Sequence, residues 1–441
     1  MIDLSRFQLA LQQVIPVRFQ GKVAQVIGLS IEAEGLRLQV GEICHIYPER
    51  DGRRISAEVV GFKNDRLILM PFAEIQGVKP GSAVFASGRQ FSVPAGTELL
   101  GRVVDGLCNP IDDKGELRCA RRYSVRSNPP SPLARRRIDT PLQTGVRAID
   151  GLLTCGKGQR MGIFSGSGVG KSTMMGMIAR NARSDVNVIA LIGERGREVQ
   201  EFIERDLGEE GLRRSVIVVS TSDQPSLLRI KAAWVATTIA EYFRDQGLDV
   251  TFMMDSVTRF AMAQREIGLT VGEPPAVKGY PPSVFALLPK LMERTGTSEK
   301  GTITGFYTVL VEGDDITEPI TDTVRSILDG HIHLSRELAA ENHYPAIDVL
   351  TSVSRVMTNI TDKEHQRLAG KLRDVVATYR SARDLINIGA YVPGSNAQID
   401  RAIQLMPVIT SFLRQGIDEG ATFEDALTRL RAIFAEETDR C

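Results

Sequence analysis

The sequence predicts an α/β chain in three parts: a small N-terminal β-barrel, a central doubly wound parallel sheet and a C-terminal helical bundle. Three patterns point to this. Short β-rich runs separated by Gly, Asp and Asn occupy residues 19–94, apolar runs alternate with helical patterns between residues 159 and 335, and beyond residue 361 the pattern is helical almost to the end. Short strands at regular spacing favour a barrel or sandwich. Strands spaced by helices require parallel crossovers and a sheet covered on both faces. The divisions expected are 1–18, 19–94, 95–360 and 361–441.

In the first segment Leu4, Phe7, Leu11 and Val14 share one helical stripe that Pro16 ends. A helix this short is marginal alone in water, so it needs its own domain or a partner to lie against, and the stripe leaves both open. The barrel strands are read at residues 22–26, 36–40, 57–62, 66–70 and 83–86. An oligonucleotide-binding barrel would interleave exposed aromatics with Lys and Arg, and few such pairings occur. Residues 95–150 connect the barrel to the sheet and include the stiff run Asn128 to Pro132 and the triplet Arg135, Arg136, Arg137, which reads as a solvated or interface patch. Sheet strands are read at 161–164, 186–192, 215–220, 250–254 and 302–310, and the helical bundle is broken near Pro393-Gly394 and at Gly420.

Composition narrows the function classes. The 441 residues carry 24% charged and 42% hydrophobic side chains with zero formal net charge, which is ordinary for a soluble globular protein. No basic surplus marks a bulk nucleic-acid binder. No apolar run reaches the roughly 18 residues of a membrane span. The first residues lack the pattern of a signal peptide, so a cytoplasmic chain is expected. Five cysteines, odd in number and far apart, read as reduced thiols.

The chemistry begins at residues 161–172 (MGIFSGSGVGKS), an apolar strand running into a glycine-rich phosphate loop. Gly166, Ser167, Gly168, Val169 and Gly170 turn backbone N–H groups inward, and the helix that follows adds the positive end of its dipole. In that cradle Lys171 reaches the β and γ phosphates of a triphosphate and the Ser172 hydroxyl sits on Mg²⁺, with Thr173 the next candidate nucleotide-binding residue. The first position of the motif is Ser165 instead of glycine, which is tolerable at negative φ. Asp255 ends an apolar strand and is placed to support the metal; its alternative is a cap for the next helix. Glu194 ends another and is the candidate to polarise the attacking water, with Glu198 as outer partner and Arg195 and Arg197 holding the carboxylates ionised. A surface salt-bridge network is the alternative there.

The sequence resembles the hexameric ATPases related to the catalytic head of the rotary ATP synthases. The motifs that carry the resemblance run along nearly the whole chain: GRVVDG at 101–106 with PID at 110–112, GVRAIDGL at 145–152, the phosphate loop, GER at 193–195, and PAIDVLTSVSR at 345–355. The resemblance implies a RecA-like core that binds ATP and Mg²⁺, with Lys171 and Ser172 on phosphate and metal, Glu194 on water and Asp255 on the metal. It also implies Arg259 facing the γ-phosphate, Tyr344 stacking on adenine and Arg355 as an arginine finger entering the neighbouring subunit's site. Glu194 and Arg355 in one chain imply a homohexamer. The chain lacks the acidic C-terminal loop of the synthase catalytic subunit, and IGERGREV at 192–199, AEYFRDQG at 240–247 and MDSVTR at 254–259 resemble the ATPases of type III protein export. GEPPAVKGYPPSVF at 272–285 resembles the flagellar branch most, with the virulence-injectisome branch second. That branch implies a cytoplasmic ring, peripheral at the inner face of the bacterial membrane, at the base of the export gate and fed by chaperone–substrate complexes. A regulator on the N-terminal stripe and a coiled-coil stalk protein in the central hole, lined by residues 273–285, are implied partners. A synthase catalytic subunit and a hexameric nucleic-acid motor are the remaining alternatives.

Overall fold

A computed structural model describes residues 19–48, 54–311, 315 and 317–435. The stripe expected at residues 4–14 lies outside the described residues. Six antiparallel strands close the barrel in the order Gln20–Ile27, Ser30–Glu34, Arg66–Pro71, Ile55–Lys63, Glu42–Tyr47 and Ala83–Gln90, the last pairing with the first. Val23, Ile31, Ile46, Val59, Leu69 and Val84 fill its interior. Residues 36–40, expected to be a strand, form the link between Ser30–Glu34 and Glu42–Tyr47 instead. Gly35 and Gly41, both at positive φ, turn the chain on either side, and the alternation of Leu36 and Leu38 packs a loop on the barrel core, not a ladder.

The central sheet runs Val353–Ser354, Gly330–Leu334, Arg160–Ser165, Thr302–Leu310, Asp249–Asp255, Val186–Ile192, Ser215–Ser220 and Arg102–Asp105, with Gly296–Thr297 as a short ninth strand on Thr302–Leu310. All neighbours pair in parallel except Gly296–Thr297 and the edge strand Val353–Ser354. The connecting segment thus contributes an edge strand of its own. Two of its three arginines form an internal interface: Arg135 donates to the Thr295 carbonyl at 2.8 Å and Arg136 to that of Ser298 at 2.9 Å, while Arg137 is exposed.

Strand alternation explains why both faces are covered. Val188, Ala190 and Ile192 point into one core, beneath the helices Ser226–Asp245 and Val257–Thr270. Ile189 and Leu191 point into the other, shared by the helix Lys171–Asn181 and by Leu372, Ile409 and Leu430 of the C-terminal helices. Those helices, Lys363–Asn387, Ala397–Leu413 and Phe423–Ile433, stop and restart around Gly394 and Gly420. The bundle therefore packs on the same face as the helix that follows the phosphate loop.

Candidate active site

In a parallel sheet the C-terminal strand ends line one edge, and loops leaving them converge there. The strand Arg160–Ser165 ends at that edge and gives way to the phosphate loop, and the helix Lys171–Asn181 starts at Lys171. Ser165 closes the strand in extended backbone, so its side chain brings no strain. Gly168 and Gly170 have φ of 79° and 86°, which favour glycine. No side chain caps the helix at Gly170, so its first N–H groups are available to an anion. Val169 contributes backbone alone, because its side chain is buried in the core.

Next to the phosphate-loop strand lies Thr302–Leu310, then Asp249–Asp255, then Val186–Ile192. That order brings two strand-end carboxylates to one lysine. Lys171 Nζ pairs with Asp255 Oδ1 and lies 3.5 Å from Glu194 Oε1. The Thr308 hydroxyl donates to the same Asp255 oxygen at 2.8 Å, and the Glu194 carbonyl accepts from Ser222 N–H at 3.0 Å. Burial, and then the Asp255 charge, push the Glu194 carboxyl up to about 7 against the pull of Lys171. Its hydrogen bond to Glu198 adds to that rise, and the same bond holds Glu198 below the usual glutamate range. Burial works against the Lys171 charge, but Asp255 and Glu194 raise its pKa all the same.

Around this centre a cleft of about 660 Å³ is lined by Gly166, Ser167, Gly168, Gly170, Ser172 and Thr173 on one side and by Glu194, Glu198 and Arg259 on the other. Arg259 packs its stem under Gly193, and its Nε is buried with no hydrogen-bond partner. A buried, unpaired guanidinium N–H is costly, so Arg259 is suited to an anion entering the cleft. The Tyr344 ring lies beside Gly170, where an added Cβ would stand 3.4 Å from it, and is 40% exposed. One aromatic face is thus offered at the mouth of the phosphate loop. The arginines expected to aim the carboxylates differ: Arg195 reaches Glu198 at 3.2 Å, but Arg197 pairs with Glu201 at 2.8 Å, one turn further on. The cation beside Glu194 is Lys171 instead, and against burial and Asp255 it does not keep that carboxyl in the usual glutamate range.

Arg355 is not brought to this cleft. It follows the edge strand Val353–Ser354, whose Ser354 pairs with Gly330 at the start of Gly330–Leu334, whereas the phosphate loop lies level with Leu334 at the other end. Four residues of strand separate these levels, roughly 13 Å along the sheet. The side chain is exposed.

Among the cleft residues that escaped the sequence reading is Arg336, which lies against Gly166, where an added Cβ would fall 2.4 Å from its Nε. It follows Gly330–Leu334, whose half-polar run Gly-His-Ile-His-Leu gives no sign of lying beside the phosphate-loop strand.

Comparison with known proteins gives the family. Residues 145–354 match the nucleotide-binding domain of the ATP synthase alpha/beta family and residues 23–88 its beta-barrel domain. The "Flagellum-specific ATP synthase" of Bacillus subtilis is 56% identical over 418 residues, 95% of each chain. The chain belongs to the ATP synthase alpha/beta family. Within the family its C-terminal residues 361–432 match the "T3SS EscN ATPase C-terminal domain". The "Type 3 secretion system ATPase" of Xanthomonas euvesicatoria is 52% identical over 94% of each chain. Among solved structures of the family, the assembled ATPase EscN from enteropathogenic E. coli superposes with a TM-score of 0.89 at 47% identity, covering 94% of this chain and 99% of that one. A second EscN structure, in complex with its central stalk EscO, gives a TM-score of 0.87.

Proposed function

We propose that this chain is the Mg²⁺-dependent ATPase that energises type III protein export in flagellar assembly, working as a ring of identical subunits. The observation that carries the hydrolase reading is the convergence of Lys171, Glu194 and Asp255 on one phosphate loop. The flagellar assignment draws on the 56% identity to the Bacillus subtilis relative. The ring draws on EscN, described as an assembled ATPase and as bound to a central stalk.

The roles follow from position. Backbone N–H groups of Gly166 to Gly170 and the start of the helix hold the phosphates. Lys171 exchanges its two carboxylates for the β and γ oxygens, which frees Glu194 to accept a hydrogen bond from the attacking water. Arg259 meets the γ-phosphate from the side of Gly193, and Tyr344 stacks on adenine. The Ser172 hydroxyl and the Asp255 carboxylate suit Mg²⁺, a hard cation that keeps several waters and takes its remaining oxygens from phosphate. Bound there, it neutralises charge on the phosphoryl oxygens during transfer. Arg355, too far from its own phosphate loop, serves the neighbouring subunit's site, where such a guanidinium is worth roughly 10³ to 10⁵ in rate.

Among the described residues no helix is long and apolar enough to cross a membrane. The proposed placement is cytoplasmic, on the inner face of the membrane at the export gate, with chaperone–substrate complexes, an N-terminal regulator and a coiled-coil stalk as partners. The second reading, an injectisome ATPase, draws on the 52% identity to the Xanthomonas relative. Restoration of motility to a bacterium lacking its flagellar export ATPase, without restoration of effector secretion to an injectisome mutant, favours the first.

Mixed rings test the shared site. Arg355→Ala and Lys171→Ala subunits each lose most of their hydrolysis alone; mixed, they recover it, because a Lys171→Ala neighbour supplies the finger to a subunit with an intact loop. No recovery, with both variants still assembling, refutes the in-trans role.

A further inference from the structure

Gln159 is fully buried just before the phosphate-loop strand, and its carboxamide is wholly committed. Its Oε1 accepts from Gly156 N–H at 2.8 Å. Its Nε2 donates to the Ser354 hydroxyl at 3.0 Å and to the Asp329 carbonyl at 3.2 Å. The Ser354 hydroxyl passes its own proton to the Thr154 carbonyl at 2.8 Å. The same Asp329 carbonyl accepts from the Arg355 N–H at 3.0 Å. The Asp329 carboxylate, for its part, accepts from the Arg160 N–H at 3.1 Å and from Arg160 Nε at 3.0 Å. Both residues that fix the backbone at 354 and 355 are therefore held by residues 159 and 160. These begin the strand that ends in the phosphate loop.

The edge strand that presents Arg355 is only two residues long, so its ladder alone holds it weakly. Gly330 lets it approach closely: a Cβ there would fall 2.6 Å from both the Val353 carbonyl and Met161 Sδ. Beside the ladder and the Arg355 N–H bond to Asp329, the buried amide is the side-chain tie between this edge and the phosphate-loop strand.

We propose that Gln159 is a positioning residue for Arg355: it registers the finger that a subunit lends to its neighbour against the strand carrying that subunit's own phosphate loop. This rests on the reading of Arg355 as a finger used in trans. A guanidinium displaced by about 1 Å can cost up to about 10²-fold in rate. Binding of ATP to the subunit that carries the change is untouched, because its own cleft lies at the other end of the sheet.

The test uses assembled full-length rings. Gln159→Met keeps the volume and loses the donor; Ser354→Ala removes the same hydrogen bond, along with the one to the Thr154 carbonyl, but leaves the buried amide itself in place, and serves where Gln159→Met misfolds. Each is expected to lower kcat about tenfold with KM for ATP unchanged, and Ser354→Thr to retain activity. Mixed with Lys171→Ala subunits, each recovers hydrolysis as Arg355→Ala does. Added to Arg355→Ala, neither lowers the rate by more than about twofold, since the finger is already gone. Rescue of Arg355→Ala without rescue of Gln159→Met and Ser354→Ala overturns the positioning role and leaves the finger standing. Failure to rescue Arg355→Ala itself overturns both. A multiplicative loss in the double variants means that Gln159 acts on its own site, and also refutes the proposal.

Discussion

The carboxyl of Glu194 offers the sharpest prediction, because its pKa and its proposed role pull in opposite directions. A water-polarising glutamate must be ionised to accept a hydrogen bond, but burial and Asp255 push this one up to about 7. The sign follows directly. In free enzyme the active fraction rises with pH, is half at about pH 7, and falls tenfold for each unit below. At about pH 6 the kcat/KM for ATP should therefore be about a tenth of its plateau, and above about pH 8 it should be flat. Glu198 contributes to the rise through its hydrogen bond and its charge, so Glu198→Gln should move this limb to lower pH. It should not reach the ordinary value of 4.5, because burial and Asp255 remain. Glu194→Gln should lose the limb, with turnover down roughly 10² to 10⁴-fold and ATP affinity nearly intact. The assay is initial rate at subsaturating Mg-ATP across this range, beside binding of a fluorescent ATP analogue at each pH. A flat wild-type profile between about pH 6 and 8, or a limb that Glu198→Gln moves upward, refutes the assignment.

Two further changes separate catalysis from folding. Gly193 has φ 73° and an added Cβ would stand 2.8 Å from Arg259 Cβ, so Gly193→Ala should displace Arg259 and lower kcat well beyond its strain of about 1–2 kcal/mol. A thermal melt within a few degrees of wild type, combined with unchanged kcat, would count against a role for Arg259. Arg294 and Glu241 form an ion pair with both side chains almost fully buried, Arg294 Nε lying 2.8 Å from Glu241 Oε1. Arg294→Met leaves Glu241 buried and unpaired and should cost about 3–5 kcal/mol in chemical denaturation, more than the double variant with Glu241→Met; the reverse order would refute this reading.

How much of this was legible in the sequence follows from what each feature depends on. The phosphate loop is local: the strand, the glycines and Lys-Ser all lie within twelve residues, so residues 161–172 announce it. Glu194 and Asp255 were readable as carboxylates at the ends of apolar strands, a pattern that needs no sheet order. Their shared attachment to Lys171 was not readable, because it depends on the strands lying two and three places from the loop. Arg336 and Gln159 were invisible for the same reason, their meaning coming from which strand lies beside which. Residues 36–40 misled because alternating Leu36, Leu38 and Val40 look like half of a ladder, while two glycines at positive φ forbid the pairing. Leu36 and Leu38 do face the core, but Val40 is exposed and the backbone partner is missing.

The charges in the cleft lead to a final prediction about the metal. Asp255 is buried, 2% exposed, and pairs with Lys171, which lines the cleft, so a triphosphate that draws Lys171 away leaves behind a carboxylate that cannot withdraw into water. Two like charges about 4 Å apart at an effective dielectric near 20 repel by about 4 kcal/mol, and Lys171 cancels only part of this. Chelating Mg²⁺ with EDTA should thus weaken ATP binding by about one to two orders of magnitude, besides abolishing turnover. In Asp255→Asn the repulsion and the metal's anchor disappear together. The ratio of ATP dissociation constants without and with Mg²⁺ should then shrink to within about threefold of unity, even though hydrolysis is lost. Equilibrium titration with a non-hydrolysable ATP analogue reads that ratio directly. If it is as large in Asp255→Asn as in the wild type, Asp255 serves only to hold Lys171 and Thr308, Ser256 being the cap of the following helix, and the metal is held elsewhere.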